Sequence, residues 1–268
     1  MWLPSYATGS ERFQRACVVM FSFVILLFLI APLFVIVPLS FSSDPFFTFP
    51  VPEYSLRWYA DFFSNERWIS SLINSAITAV LTTILATTLG TMASLGISSP
   101  NFPFRRVVMA ILISPMIIPI VIVAVGSYLF FGPLGLTNTR IGLVLAHTAL
   151  ATPFVVITVT ATLSTYDTNL TRAALSLGAS PLSAFFKVTL PNIMAGVLSG
   201  SIFAFATSFD EVVVALFLTG AEQRTLPVQM FSGIRDQINP TIMAAATILL
   251  ALSIGLFATL TLLTRRKK

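Results

Sequence analysis

Long uninterrupted runs of apolar residues dominate the pattern of this chain. A helix needs about 20 mostly apolar residues to cross a lipid bilayer, and several runs reach that length. The six runs cover residues 17–41, 71–97, 107–131, 141–163, 193–218 and 242–263. Short polar or charged segments separate them. The pattern therefore predicts an all-α membrane protein with six transmembrane helices.

The composition supports a membrane protein. Hydrophobic residues make up 56% of the 268 residues and charged residues only 9%, whereas a soluble domain carries roughly 25% charged residues. So few charges do not cover a water-exposed surface. The net charge of +5 does not indicate nucleic-acid binding, because the basic residues lie at the ends of apolar runs, where membrane topology explains them.

The distribution of Lys and Arg predicts the orientation. Ten of these residues lie in the N-terminal tail, in the loops after the second and fourth runs and in the C-terminal tail, and the other loops hold five. Loops rich in Lys and Arg stay in the cytoplasm, so both termini are predicted to be cytoplasmic. The first run is too long for a signal-peptide core and no cleavage site follows it. We expect it to be an uncleaved span that Pro32 and Pro38 bend or end.

The loop between the first two runs contains a short amphipathic segment, residues 55–63. Its apolar residues are Leu56, Trp58, Tyr59, Phe62 and Phe63. Trp and Tyr favour the level of the lipid headgroups. We interpret the segment as an interfacial helix, and a contact surface for an external partner is compatible with that interpretation.

The second and third runs have features of helices that pack on other helices. The second run is rich in Ser, Thr and Ala, which allow helices to approach closely and to bond across their interface. The third run contains Pro115 and Pro119, which free backbone carbonyls and bend a helix. A protein-lined cavity tolerates such carbonyls better than lipid does, so the prolines indicate either a translocation pathway or fixed packing.

No pattern in the chain indicates an enzyme. There is one cysteine, Cys17, and one histidine, His147, which is too few for an internal disulfide or a Cys/His metal cluster. We interpret His147 as a hydrogen-bonded packing residue. The sequence has no Walker loop and no nucleophile elbow. We expect no catalytic residue, no metal and no cofactor, so ATP-driven transport would require a separate ATPase.

Two adjacent acids, Asp210 and Glu211, lie inside the fifth run, and the other acids lie outside the runs. An ionised carboxylate at the centre of a spanning helix costs roughly 2.5–3.5 kcal/mol. Neighbouring positions on a continuous helix point about 100° apart, so one acid is expected to face a pathway while the other bonds to a neighbouring helix. Because the runs contain no Lys or Arg, a basic partner is expected from a loop or another chain. The pair indicates either a pathway for a cationic substrate or a structural bond between subunits.

The segment between the fourth and fifth runs is amphipathic and predicts two short cytoplasmic helices. Candidate caps of the first helix are Asp167, Thr168 and Asn169. Gly178 follows where a left-handed closing residue is favoured. Ser180 and Pro181 fit the start of the second helix, which we expect to end at Leu190 and Pro191. The apolar residues of both helices have no bilayer to bury in, so they need the bundle or a partner.

This segment resembles the coupling motif of permease subunits in bacterial ATP-binding-cassette (ABC) importers. The family pattern is E-A-A-x-x-x-G, followed by an apolar residue, any residue, Leu and Pro. Here the pattern reads Arg172-Ala173-Ala174-Leu175-Ser176-Leu177-Gly178, followed by Val188-Thr189-Leu190-Pro191. Arg172 replaces the acid that is usual in the family. The resemblance implies ATPase coupling through Arg172, Ala173, Ala174, Gly178, Leu190 and Pro191.

Residues 208–220 and 226–250 resemble the second permease subunit of spermidine/putrescine importers, a group with opine-type and other amine-type relatives. The resemblance implies a type I ABC importer permease fold in the bacterial inner membrane. It divides the chain into an N-terminal part (1–68), a permease domain (69–263) with a coupling loop (165–191), and a basic tail (264–268). It also implies three kinds of partner: a second permease subunit, two ATPase subunits and a periplasmic solute-binding protein.

The expected function is import of a small cationic solute, a polyamine or a related amine, with Asp210 and Glu211 in the substrate pathway. Two other functions stay open at this point. A secondary transporter or channel without an ATPase would use the two acids as a proton relay, and a membrane scaffold would not need them for uptake. The exposed pair of capped helices favours the ATP-driven importer, because a transporter that works alone has no use for it.

Overall fold

The computed structural model describes residues 8–99, 101–236 and 239–265. Their fold is all-α, as predicted. The helices are α1 (Gly9–Ser40), α2 (Arg57–Ser64), α3 (Glu66–Ile97), α4 (Arg105–Ile117), α5 (Ile120–Phe131), α6 (Arg140–Ser164), α7 (Thr168–Ser176), α8 (Pro181–Ala184), α9 (Leu190–Asp210), α10 (Val213–Leu218), α11 (Leu226–Asp236) and α12 (Thr241–Arg265). A π-helical turn, Phe185–Thr189, joins α8 to α9. Residues 266–268 of the predicted basic tail lie outside the described residues.

Helices α3, α6 and α9 pack against one another and form the centre of the bundle. Small residues bring their backbones close together. A Cβ atom added to Gly200 on α9 would lie 2.9 Å from the Cα atom of Val155 on α6, and one added to Gly90 on α3 would lie 2.7 Å from the Cβ atom of Val155. This confirms that the second run packs on other helices, as small residues at helix interfaces predict.

Four helices are long and apolar enough to cross a membrane. They cover Arg12–Ser40, Glu66–Ile97, Arg140–Ser164 and Pro181–Asp210. The bent pair α4–α5 gives a fifth crossing if it is a single span, and Thr241–Gly255 forms a shorter apolar helix. These helices give four or five crossings, and Thr241–Gly255 alone is shorter than a full span. The count of six spans therefore stays a prediction.

The third run is not one straight helix. Helices α4 and α5 meet at 103°, with Ile118 extended between them (φ −70°, ψ 134°) and Pro119 next. A proline has no N–H to donate and disfavours helical backbone in the residue before it, so the bend predicted at Pro119 is confirmed. Pro115 lies inside α4 and does not end the helix.

The fifth run is broken where its two acids lie, so the prediction of one helix over residues 193–218 is wrong. Helix α9 ends at Asp210, Glu211 is extended (φ −67°, ψ 124°), and α10 begins at Val213. The 100° rule for neighbouring helical positions does not apply across this break. The hydrophobic pattern does not show the break, because apolar residues continue on both sides of it.

The predicted interfacial helix is α2, which is tied to the bundle at both ends of its sequence. Phe62 is completely buried. The Tyr59 hydroxyl lies 2.8 Å from Ser40 Oγ, at the end of α1, and Asp61 Oδ2 accepts a 2.6 Å hydrogen bond from Thr241 Oγ1, at the start of α12. Helix α2 is thus held by hydrogen bonds to the end of α1 and to the start of α12.

Candidate functional site

An open cavity of about 460 Å³ lies beside the break between α9 and α10. Its lining comes from both sides of the bend in α4–α5, from α6 and from the break itself. The lining residues are Pro115, Met116, Ile118, Ile120, Leu150, Phe154, Thr207, Asp210, Glu211 and Val212. The bend at Pro119 and the break after Asp210, which interrupt two different apolar runs, therefore meet at one cavity.

The two acids have different surroundings. Asp210 is exposed and lines the cavity, whereas Glu211 is 9% exposed. Among the described residues that line the cavity, these two are acidic and none is basic. The cavity thus has a negative group on an otherwise mostly apolar wall, an arrangement that suits a cation attached to an apolar stem.

One aromatic side chain forms part of the apolar wall. Phe154 of α6 lines the cavity and stacks on Phe203 of α9, with ring centroids 5.9 Å apart. The face of an aromatic ring attracts ammonium groups. A carboxylate and an aromatic side chain on the same cavity can therefore bind an amine jointly, the first by charge and the second by its ring electrons.

The Glu211 side chain caps helix α10. Its Oε1 atom accepts a hydrogen bond from the backbone N–H of Val214 and its Oε2 atom accepts one from the N–H of Ala215, each at 2.9 Å. The first N–H groups of a helix have no partner within the helix, and a negative charge there also complements the helix dipole. The carboxylate therefore satisfies donors that the break would otherwise leave unpaired.

The partner of Glu211 from a neighbouring helix is His147 of α6. The Nε2 atom of His147 lies 3.5 Å from Glu211 Oε2, and its Nδ1 atom lies 2.9 Å from Ser208 Oγ on α9. The interpretation of His147 as a hydrogen-bonded buried residue is confirmed. Glu211 therefore meets a polar side chain of a neighbouring helix, as expected, and that helix is a span of the same chain. A Lys or Arg partner from a loop or another chain stays a prediction.

At the opposite end of α6, the first helix of the predicted coupling loop forms as expected. Asp167 Oδ1 accepts a 2.9 Å hydrogen bond from the N–H of Asn169 and so caps α7. Gly178 follows the helix with φ +90°, which is the left-handed closing residue that the sequence predicts. Arg172 and Ala173 on this helix are exposed, whereas Ala174 is half-buried.

The second helix of the loop starts as predicted but does not end where predicted. Ser180 Oγ accepts a hydrogen bond from the N–H of Ser183, with Pro181 at the first helical position. Instead of ending at Leu190 and Pro191, the helix continues through the π-helical turn into α9, which gives one helical path over Pro181–Asp210. Pro191 is tolerated because it lies in the first turn of α9.

Hydroxyl groups tie α7 to this path. The Tyr166 hydroxyl lies 2.6 Å from Thr171 Oγ1, which in turn lies 2.9 Å from Thr189 Oγ1 in the π-helical turn. Thr189 is buried, so the chain of hydroxyls is anchored in the bundle. The sequence gives no local signal for this contact, because Thr171 and Thr189 lie on different helical segments.

Large apolar side chains of the loop remain exposed. The exposed fractions are 88% for Leu177, 70% for Leu182 and 57% for Phe186. A polar segment at the end of a membrane helix has no reason to present such groups to water, and exposed apolar patches mark interaction surfaces. The loop therefore presents an outward apolar face, made by Leu177 at the end of α7, Leu182 in α8 and Phe186 in the π-helical turn.

Sequence comparison finds relatives that are all described as membrane components of transport systems. Residues 86–268 match the model of the family described as a binding-protein-dependent transport system inner membrane component. The spermidine/putrescine transport system permease protein PotC of Haemophilus influenzae is 30% identical over 246 residues, which are 92% of this chain and 95% of that protein. The putrescine transport system permease protein PotI of Escherichia coli K12 is 31% identical over 236 residues, 83% of this chain and 82% of that protein.

A solved structure has the same fold over nearly the whole chain. It is a chain of a bacterial ABC transporter involved in the import of the acidic polysaccharide alginate, with a TM-score of 0.74. The match covers 98% of this chain and 99% of that chain at 18% identity. At 18% identity the match shows that the two chains share a fold, and it shows nothing about a shared cargo.

Proposed function

The chain belongs to the family of binding-protein-dependent transport system inner membrane components, and from this premise we propose that it imports a small polyamine or a related amine past Asp210. It is a permease subunit of an ABC importer in the inner membrane, with a type I permease fold and no ATPase of its own. Membership of this family argues against the two alternative functions, a membrane scaffold and a secondary transporter or channel without an ATPase.

The cargo proposal rests on one observation: Asp210 lines a cavity that has one aromatic side chain, Phe154, and no basic group among its described lining residues. A cation gains from both features. The names of the two most similar relatives reported above, a spermidine/putrescine and a putrescine permease, support the same class of cargo. The alginate importer shares the fold but moves an acidic polysaccharide, so the fold alone does not support a cationic cargo.

The complex that we infer contains a second permease subunit, two cytoplasmic ATPase subunits and a periplasmic solute-binding protein. Six crossings are proposed: α1, α3, the pair α4–α5, α6, the path from Pro181 through α10, and α12. The excess of Lys and Arg at one set of loops supports cytoplasmic termini. Residues 69–263 would form the permease domain, with residues 1–68 before it and the basic tail 264–268 after it.

We further propose that the loop 165–191 binds an ATPase subunit. The residues that the family motif assigns to coupling are Arg172, Ala173, Ala174, Gly178, Leu190 and Pro191. Support comes from the outward apolar face around Leu177 and Leu182 and from the rigid ties of α7. Closure of the ATPase dimer on ATP would move this loop and, with it, the helical path that leads to Asp210.

Uptake of radiolabelled putrescine by the complete importer, with and without competing amines, tests the cargo and the role of Asp210. Asp210→Asn should lower uptake about tenfold or more, since a hydrogen bond to a charged group contributes about 1.5–3 kcal/mol. Asp210→Glu keeps the charge and should retain most of the uptake. If Asp210→Asn imports putrescine at the original rate, the pathway role is wrong. If the importer takes up a zwitterionic amino compound and no putrescine, the cargo is wrong.

Copurification with the ATPase subunit tests the coupling loop. Leu177→Asp places a charge on the outward apolar face and should reduce the amount of ATPase that copurifies. Leu134→Asp is a matched control, because Leu134 is also an exposed leucine (58%) but lies in the loop before α6, at the other end of the bundle. Equal ATPase recovery from both variants would refute the assignment of the loop.

A further inference from the structure

We propose that His147 is a positioning residue that holds the break between α9 and α10 and so keeps the Asp210 carboxylate in the cavity. The role in transport rests on the function proposed for Asp210. His147 itself is 1% exposed and is not among the residues that line the cavity. It therefore acts on the cargo through the backbone of the break and not by contact.

The ring of His147 contacts both sides of the break, one side by a hydrogen bond and the other by a longer polar approach. Its Nδ1 atom meets Ser208, in the last turn of α9, at 2.9 Å. Its Nε2 atom lies 3.5 Å from the carboxylate of Glu211, which is the first residue after α9 and the cap of α10. Asp210 lies between these two contacts. Fixing Ser208 and Glu211 to one rigid ring leaves the backbone of Asp210 little freedom to turn.

The packing of α6 explains why a residue at position 147 can contact both α9 and the start of α10. On the N-terminal side of α6, Leu143, Ala146 and Leu150 pack against α10, in a cluster with Val214 and Leu218. On the C-terminal side, residues of α6 pack against α9; they are Ala151, Val155 and Val159, in a cluster with Ile193 and Ala204.

His147 lies close to the point where α6 changes its partner from α10 to α9. It is the residue that can reach the end of one helix and the start of the other at once. An apolar residue at this position could pack against both helices, but it would leave Ser208 and Glu211 without their polar partner. The imidazole ring has two nitrogen atoms, of which Nδ1 is hydrogen-bonded to Ser208 and Nε2 points toward the carboxylate of Glu211.

The buried carboxylate makes the arrangement depend on His147. Glu211 accepts the N–H groups of Val214 and Ala215, and the ring of His147 is the additional polar group beside its Oε2 atom. In a protein interior an acid without compensation is costly. Without the ring, Ser208 loses its hydrogen bond and Glu211 loses a polar neighbour, so the backbone between them is expected to turn and to displace Asp210.

Thiol labelling measures this position directly and does not require transport. The chain has a single cysteine, Cys17, so Cys17→Ser gives a cysteine-free background for the complete importer in membranes. In that background Asp210→Cys and Thr207→Cys each place one thiol at the cavity, and a cationic methanethiosulfonate reagent reports its exposure. Thr207 lines the same cavity but lies in α9, before the break, and is the matched control.

We expect His147→Ala to slow labelling of the thiol at position 210 about tenfold, the change expected when the hydrogen bond to Ser208 and the polar contact with Glu211 are lost together, and to leave labelling at position 207 within about twofold. Ser208→Ala removes only one of the two contacts and should slow labelling at position 210 less. Unchanged labelling at 210 in His147→Ala would overturn the proposal. An equal decrease at 207 and 210 would overturn it too, because it would mean that the whole cavity has closed.

The labelling experiment and the uptake experiment can fail independently of each other. If Asp210→Asn imports putrescine normally, the pathway role fails, yet the labelling rates still show whether His147 positions residue 210. If His147→Ala slows labelling at 210 and Asp210→Asn abolishes uptake, both hold. Recovery of the intact complex after purification in each variant confirms that labelling is measured on assembled protein.

Discussion

The guanidinium group of Arg140 donates a 2.9 Å hydrogen bond to Oδ1 of Asn74, which joins the start of α6 to a buried amide of α3. The amide nitrogen of Asn74 donates to the carbonyl oxygens of Glu222, at 2.7 Å, and Arg224, at 3.2 Å. One side chain thus ties α3, α6 and the loop after α10 together. This junction lies at the end of α6 opposite to the coupling loop.

Replacing Asn74 by Leu should destabilise the protein, because the carbonyl oxygens of the loop and the Arg140 guanidinium lose their partner together. Leaving buried polar groups unpaired costs about 1–3 kcal/mol. The measurement is thermal unfolding of the purified importer in detergent. Ile73→Ala, at the neighbouring half-exposed position of α3 (50%), is the control and should unfold close to the original temperature. Equal unfolding temperatures for Asn74→Leu and the original protein would contradict the importance of this junction.

The close approach of α6 and α9 predicts a strong effect at Gly200. A Cβ atom there would lie 2.9 Å from the Cα atom of Val155, which is backbone and does not yield. Gly200→Ala should therefore separate the helices and lower stability by about 1–3 kcal/mol. Gly126→Ala in α5 meets nothing within 4 Å and should be neutral or gain about 0.5–1 kcal/mol from the higher helix propensity of Ala.

Chemical unfolding in detergent, followed by the fraction of helix, would compare the two glycine variants on one scale. Comparable stability for Gly200→Ala and Gly126→Ala would mean that α6 and α9 relax easily.

Replacing Gly178 or Gly135 by Ala would introduce similar backbone strain at two different places. The pair therefore tests whether the loop 165–191 couples ATP hydrolysis to uptake. Both have left-handed backbones, with φ +90° and +66°, and in both cases a Cβ atom would meet nothing within 4 Å. Alanine in this region costs about 1–2 kcal/mol. We expect Gly178→Ala to lower the uptake per ATP hydrolysed, because it turns α7 relative to α8, and Gly135→Ala to leave that ratio unchanged.

The ratio of putrescine uptake to ATP hydrolysis in proteoliposomes is the quantity to compare. A similar fall in both glycine variants would point to general strain rather than to coupling.

The hydroxyl chain of the coupling loop predicts an effect of Thr171→Val. Valine keeps the shape of the side chain but removes the group that bridges Tyr166 and Thr189. Helix α7 should then detach more often, and limited proteolysis should cut the loop several-fold faster, since losing about 1 kcal/mol of hydrogen bonding raises an open population about fivefold. Thr168→Val, at the exposed start of α7, serves as the control and should be cut at the original rate. A similar cleavage rate for Thr171→Val and the original protein would show that the hydroxyl chain does not hold α7.

Local features of the loop are predictable from the sequence because neighbouring residues decide them. The capping by Asp167 and by Ser180 with Pro181, and the left-handed Gly178, depend on side chains within three residues of the backbone that they serve. The same holds for the bend at Pro119, where the ring of a single residue removes the donor and restricts its neighbour.

The break after Asp210 is not predictable in this way, because its determinant is distant in the sequence. His147 lies 61 positions from Ser208, and nothing in the periodicity of either segment links the two. The hydrophobic pattern predicts a helix across the break, and the polar partner that makes the interruption tolerable belongs to another span. Charge alone indicates that the acids are special, but it does not reveal which of them faces the cavity.

The helical path Pro181–Asp210, which runs through the π-helical turn Phe185–Thr189 without interruption, is long enough to act as a lever. This path has 30 residues, and at about 1.5 Å per residue it is about 45 Å long. A rod of that length turned by about 5° about one end displaces the other end by about 4 Å. One end carries the exposed apolar residues Leu182 and Phe186 and the other carries Asp210, so a rotation of the path as one rod would move the carboxylate by more than the diameter of a water molecule, without any change in the helix between them.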